Sequence, residues 1–129
     1  MNLAEQSASK TGFYLTRDLM FSSRVAAAAV SQNLLLSVID SVERLREKCA
    51  GQAVGLVFID LELIADNVAD NISQIREAAP GATLVAYAGH VKESLLNQAA
   101  AADIDMVLTR GQFNQRSAEL LKNFLASST

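Results

Sequence analysis

Asp60 closes the apolar run Val54-Gly55-Leu56-Val57-Phe58-Ile59. A carboxylate where a buried strand emerges can ligate a metal, pair with a cation or cap the next turn, and open α/β sheets keep their sites at that end of the strands. Other groups capable of chemistry follow other apolar runs: Thr16, Arg17 and Asp18 after the first, Ala88, Gly89 and His90 after the fourth, Arg110 and Gly111 after the fifth. Arg110 carries a planar fork of donors that suits either Asp60 or an external anion. Arg17 is the alternative partner of Asp60, and a carboxylate flanked by arginine holds its charge without a metal. Such an ion pair is the expected role of Asp60, with capping as the other plain reading. Asp18 is expected to cap a helix. Asp18 and Asp60 are the carboxylates available to a metal, too few for tight Mg²⁺ binding. His90 stands alone as the single histidine, either capping the next helix or touching a ligand, with no second His or Cys near it in sequence to complete a metal site. No Ser or Cys sits in a nucleophile elbow. No catalytic residue is assigned and no enzyme is expected.

These residues need strands and helices in alternation to hold them. Residues 12–16 read as a first strand. A helix follows through residue 31, capped by Asp18, with Met20, Phe21, Val25, Ala28 and Ala29 spaced as its apolar face. The run Ala26 to Ala29 reads as close packing of that helix on a sheet, and Arg24 as a solvated group. Residues 33–38 form a second strand and 41–49 a charged amphipathic helix. Residues 54–59 lack alternation, as a strand buried on both faces should. Residues 67–79 make a helix with Val68, Ile72 and Ile75 inward, closed by Pro80-Gly81. Strand 83–87, helix 91–102, strand 105–109 and helix 113–125 complete the series. Five strands alternating with five helices predict a doubly wound parallel sheet in a three-layer, flavodoxin-like sandwich with right-handed crossovers. The domain is expected over 12–126, after a flexible segment 1–11.

Composition narrows the partners. At 129 residues and a net charge of −3, the chain has the size of one domain and no basic stripe for nucleic acid. A lone Cys49 offers no disulfide within the chain, and the reducing cytoplasm is the expected setting. No apolar stretch reaches the roughly 18 to 20 residues of a membrane helix, and the N-terminus lacks the pattern of a signal peptide. Asp103 and Asp105 read as a turn at the edge opposite Asp60. Glu62, Asp66 and Asp70 read as a solvated acidic face.

Four segments in order, Asp18-Leu19-Met20-Phe21-Ser22-Ser23-Arg24, Ile59-Asp60-Leu61, Tyr87-Ala88-Gly89-His90-Val91 and Thr109-Arg110-Gly111-Gln112-Phe113, resemble the receiver domain of bacterial response regulators. Within that class the chain is similar to divergent, stand-alone pseudo-receivers. The resemblance implies two-component signalling or a phosphorelay, with Asp60 at the phosphoacceptor position. It also implies departures. The acidic pair that holds Mg²⁺ falls at Thr16-Arg17 or Arg17-Asp18, so at least one acid is missing. The hydroxyl after the fourth strand falls at Ala88, the lysine after the fifth at Arg110, and the switch aromatic near Met106 or Val107. Phosphoryl transfer to a carboxylate gathers negative charge that a metal normally neutralises, so phosphorylation of Asp60 is expected to be weak or absent.

The expected function is therefore a receiver-like signalling module acting through a protein partner, a kinase or another regulator, or as a homodimer. With no output domain after the last helix, its surfaces are expected to act, and Leu95, Ala99, Ala102, Phe113 and Leu121 are the candidates, of which several must face the core. The alternative is a small anion- or nucleotide-binding domain using Arg17, Gly89, His90 and Arg110 at the sheet edge. It lacks a glycine-rich phosphate loop.

Overall fold

The computed structural model describes residues 10–127. Five strands, β1 (Lys10–Leu15), β2 (Leu34–Ile39), β3 (Leu56–Asp60), β4 (Thr83–Ala88) and β5 (Met106–Thr109), form one sheet in the order β2-β1-β3-β4-β5. Every pairing is parallel. The helices are α1 (Leu19–Val30), α2 (Val42–Cys49), α3 (Val68–Ala78), α4 (Glu93–Ala100) and α5 (Arg110–Ser127), with a 3-10 turn at Leu61–Ile64. This is the doubly wound α/β sandwich that the alternation predicts.

Side-chain alternation divides the core into two layers. Phe13, Leu15, Val57, Ile59, Leu84 and Ala86 face α2, α3 and α4. Tyr14, Leu56, Phe58, Val85 and Tyr87 face α1 and α5. β3 is buried along its whole length, which is why its sequence shows no polar alternation. Local chemistry sets the helix starts. Asp18, Ser41 and Asn67 accept from the amides of Phe21, Arg44 and Asp70 at 3.0 to 3.1 Å, satisfying donors that the first turn leaves free.

Several boundaries differ from expectation. β1 begins at Lys10, and Lys10 and Thr11 pair with Leu34 and Leu35. The expected flexible segment is therefore wrong at those two residues, while its remainder, 1–9, lies outside the described residues. Helix α4 is shorter than predicted, leaving Val91 before it. α5 starts three residues early because Thr109 and Gln112 close a reciprocal box. The Gln112 N–H donates to Thr109 Oγ1 at 3.2 Å, and the Thr109 N–H donates to Gln112 Oε1 at 2.9 Å.

Met20, predicted on the inner face of α1, is 82% exposed. With Asp18 as cap, α1 is turned so that Phe21, Ser22, Val25 and Ala29 go inward. Of the contact candidates, Ala99, Phe113 and Leu121 are the ones that face the core, fully buried.

Candidate functional site

Thr16 joins the two acids at the carboxyl edge of the sheet. It follows β1, is 0% exposed, and its hydroxyl donates to Asp60 Oδ2 at 2.7 Å. The same oxygen accepts from the Asp18 N–H at 3.1 Å. Asp60, 8% exposed, accepts at Oδ1 from the Glu62 N–H at 3.1 Å and so caps the 3-10 turn. Burial of a carboxylate is tolerable when its oxygens are bonded in this way.

Asp18 completes the arrangement in two directions. Oδ1 accepts from the Phe21 N–H at 3.0 Å, and Oδ2 from Arg110 Nη2. The Phe21 amide and the Arg110 guanidinium, in that order among the groups that stabilise the charge, hold the Asp18 carboxyl below its usual range. Asp18 in turn raises Arg110. The guanidinium also lies 4.7 Å over the Phe21 ring, within cation–π range. An arginine at the start of a helix opposes the positive end of the helix dipole, and here the Asp18 carboxylate offsets that cost.

The expected ion pair of Asp60 with Arg110 or Arg17 is therefore corrected. Among the described residues Asp60 has no ion pair. Arg110 reaches Asp18 because α5 begins immediately after β5 and carries the side chain toward the cap of α1. Arg17 is exposed and lines an open polar cleft of about 440 Å³ with Asp40, Ser41, Glu62 and Asp66. His90 is exposed and Gly89 half-buried at the β4 exit, and Ala88 is buried. Among the described residues no hydrogen bond or ion pair ties Arg17 or His90 to Asp60.

The donor set does not suit Mg²⁺. Asp60 spends both oxygens on Thr16 and Glu62, Asp18 spends its own on Phe21 and Arg110, and a fixed guanidinium already supplies positive charge. Among the described residues no group of three His, Cys, Asp or Glu is placed to hold a metal ion.

Beneath the edge lies an aromatic cluster that sequence reading missed. Attention to β5 found no ring at Met106 or Val107, whereas Tyr87 on β4 lies in register with Asp60. Tyr87 stacks on Phe113 at 4.4 Å, and Phe58 meets Phe113 edge-on at 4.9 Å. The hydroxyls of Tyr14 and Tyr87 share a hydrogen bond of 2.6 Å. Burial pushes Tyr87 up to about 12 and Tyr14 higher still. The strand register brings them together: Tyr14 pairs with Phe58 and Phe58 with Val85, and Tyr87, two residues beyond Val85, falls on the same face.

At the opposite end of the strands, Asp103 and Asp105 form an arginine clamp and not merely a turn. Arg76 on α3 lies 3.2 Å from each carboxylate, and its Nη1 donates to the Ala82 carbonyl at 2.7 Å. The Leu84 N–H donates to Asp105 Oδ2 at 2.7 Å.

No family model and no curated protein matches the chain. Solved structures do. The receiver domain of the TMAO respiratory system response regulator TorR aligns with a TM-score of 0.77 at 18% identity, over 92% of this chain and 98% of that one. A response regulator from Thermotoga maritima gives 0.73 at 15% identity, over 92% and 98%. A CheY-like protein, TadZ, from Pseudomonas aeruginosa gives 0.70 at 18% identity, over 90% and 99%. The chain has the receiver-domain fold of bacterial response regulators, the fold its four sequence segments resemble.

Proposed function

We propose that this chain is a receiver-like signalling module that works by binding a protein partner, with Asp60 retained as a structural carboxylate. One observation carries the reading: both Asp60 oxygens are engaged within the domain, by the Thr16 hydroxyl and the Glu62 amide. Attack by either oxygen on a phosphoryl donor uses an oxygen whose charge a hydrogen bond already stabilises, which lowers its nucleophilicity in a nearly dry site. The arriving negative charge meets an arginine already paired with Asp18. Without a metal to neutralise the transferred group, the transition state lacks its usual stabilisation. The likeness to receiver domains supports a signalling role, and no residue is assigned to catalysis.

The same geometry weakens the anion-binding alternative at Arg17, Gly89, His90 and Arg110, since an anion must compete with Asp18 for Arg110. The absence of a helix long and apolar enough to cross a membrane among the described residues agrees with a module that meets its partner from the aqueous side.

The test is intact mass after incubation with acetyl phosphate and Mg²⁺, comparing the native chain with Asp60→Asn. No adduct is expected on either. A phosphoryl adduct on the native chain that disappears in Asp60→Asn overturns the structural role of Asp60.

A further inference from the structure

We infer that the buried hydroxyls of Tyr14, Tyr87 and Thr16 form a one-way hydrogen-bond relay ending on Asp60, so that the charge of Asp60 sets the polarity of the layer beneath α1 and α5. The inference concerns the unmodified chain and is independent of whether Asp60 takes a phosphoryl group.

The four groups share one face of the sheet. Tyr14 is in register with Phe58, and Tyr87 with Asp60. A step of two residues puts Thr16 beyond Tyr14 and Asp60 beyond Phe58, toward the carboxyl edge. Tyr14 and Thr16 are 0% and Tyr87 1% exposed. Their protons must therefore be bonded within the protein, because a buried hydroxyl left without a partner is costly.

Proton bookkeeping gives the direction. Ionised Asp60 only accepts, so the 2.7 Å bond to its Oδ2 takes the Thr16 proton. The Thr16 oxygen has two lone pairs, and the Asp18 N–H occupies one of them at 3.1 Å. Thr16 is also a hydrogen-bond partner of the Tyr87 side chain. The two phenols hold two protons but share a single bond of 2.6 Å. Tyr87 therefore donates to the second lone pair of Thr16 and accepts from Tyr14. This is the arrangement in which all three hydroxyl protons are bonded, and bonds aligned in one sense strengthen each other.

The far end of the relay touches two helices. Tyr87 stacks on Phe113 of α5 at 4.4 Å and meets Phe21 of α1 at 6.0 Å. Tyr14 meets Phe113 edge-on at 5.8 Å.

Loss of the Asp60 charge reverses the relay. In Asp60→Asn the Glu62 N–H still requires an oxygen, as it does at Oδ1, and this turns the amide nitrogen toward Thr16. Thr16 then accepts twice and donates to Tyr87, which donates to Tyr14. The Tyr14 proton is left without an acceptor, so the layer favours the ionised acid.

The chain has two tyrosines and no tryptophan, so near-ultraviolet absorption resolves the phenols once each is isolated. A phenol that donates absorbs to the red of one that only accepts. In Tyr14→Phe, with folding checked by circular dichroism, Tyr87 should keep its red-shifted band. In Asp60→Asn the Tyr14 contribution should move to the blue. Tyr14 and Asp60 share no hydrogen bond, yet in urea unfolding the effect of Tyr14→Phe on the folding constant should differ at least about threefold between native and Asp60→Asn backgrounds. A Tyr87 band that moves to the blue in Tyr14→Phe overturns the inference, and this outcome does not depend on Asp60→Asn folding. So does an unchanged tyrosine spectrum in folded Asp60→Asn, or effects that combine independently to within about twofold.

Discussion

The two ends of the sheet satisfy their charges in opposite ways. At the carboxyl edge, a buried acid is held by neutral donors, and the arginine nearby is diverted to a second acid. At the amino edge, Arg76 gathers two carboxylates and a backbone carbonyl directly. The amino edge is a structural clamp, tying α3 to the turn before β5. The carboxyl edge has the position of a reactive site but is bonded like a structural one. Its groups come from far apart, with Thr16 44 residues from Asp60 and Asp18 92 from Arg110. Closure of that edge is therefore a property of the assembled fold.

The strongest way to break the contrast is Thr16→Val. It removes the hydroxyl that bonds both Asp60 and the Asp18 amide and leaves a buried carboxylate short of a donor. A loss of about 3 kcal/mol in urea unfolding is expected, and a loss below about 0.5 kcal/mol would show that this bond is not what holds the edge. Arg76→Ala at the other end should cost about 2 kcal/mol, since its carboxylate partners are more exposed and water can replace it. If Arg76→Ala proves the more damaging of the two, the stability of the sheet ends is ordered the other way.

Acid titration sharpens the comparison with the smallest effects. Asp18 is held below its ordinary value of 3.8, first by the Phe21 amide and then by Arg110. Asp105 is held below the same value, first by the Leu84 amide and also by Arg76. A group with a depressed folded value contributes stability above its unfolded value and loses it as pH falls through the folded one. Both ends should therefore weaken below about pH 4. Asp18→Asn and Asp105→Asn should each flatten that acid limb, by less than about 1 kcal/mol at these partly exposed positions. An unchanged limb in either variant would remove that acid from the account.

Much of the fold was legible because burial writes itself into local pattern. The unbroken run before Asp60 marks a central strand, and the cap Asp18 marks a helix start that the structure reproduces. The Thr109–Gln112 box was also present in the sequence as a Thr followed three residues later by Gln. Overlooking it placed the start of α5 at Phe113 and hid the route from Arg110 to Asp18. The partner of Asp60 was not legible, because two arginines and a hydroxyl converge on one edge and only strand exit angles choose among them. The aromatic cluster was not legible: Tyr14, Phe58 and Tyr87 each lie in a strand run, but the register that puts them on one face and the way α1 and α5 bring Phe21 and Phe113 over the sheet are set by tertiary packing. Met20 was misplaced for the same reason, since several residues fit the helical period and packing selects which stripe turns inward.

By itself, then, the sequence determined the alternating parallel architecture and the gathering of Thr16, Asp18, Asp60 and Arg110 at one edge, because hydrophobic period and capping act over a few residues. Which acid takes the arginine, which oxygen bonds Asp60 and which face of α1 is left to solvent were decided only by tertiary structure. Those choices turn on ångström distances between elements dozens of residues apart, where hydrogen-bond geometry and close packing discriminate and local pattern does not.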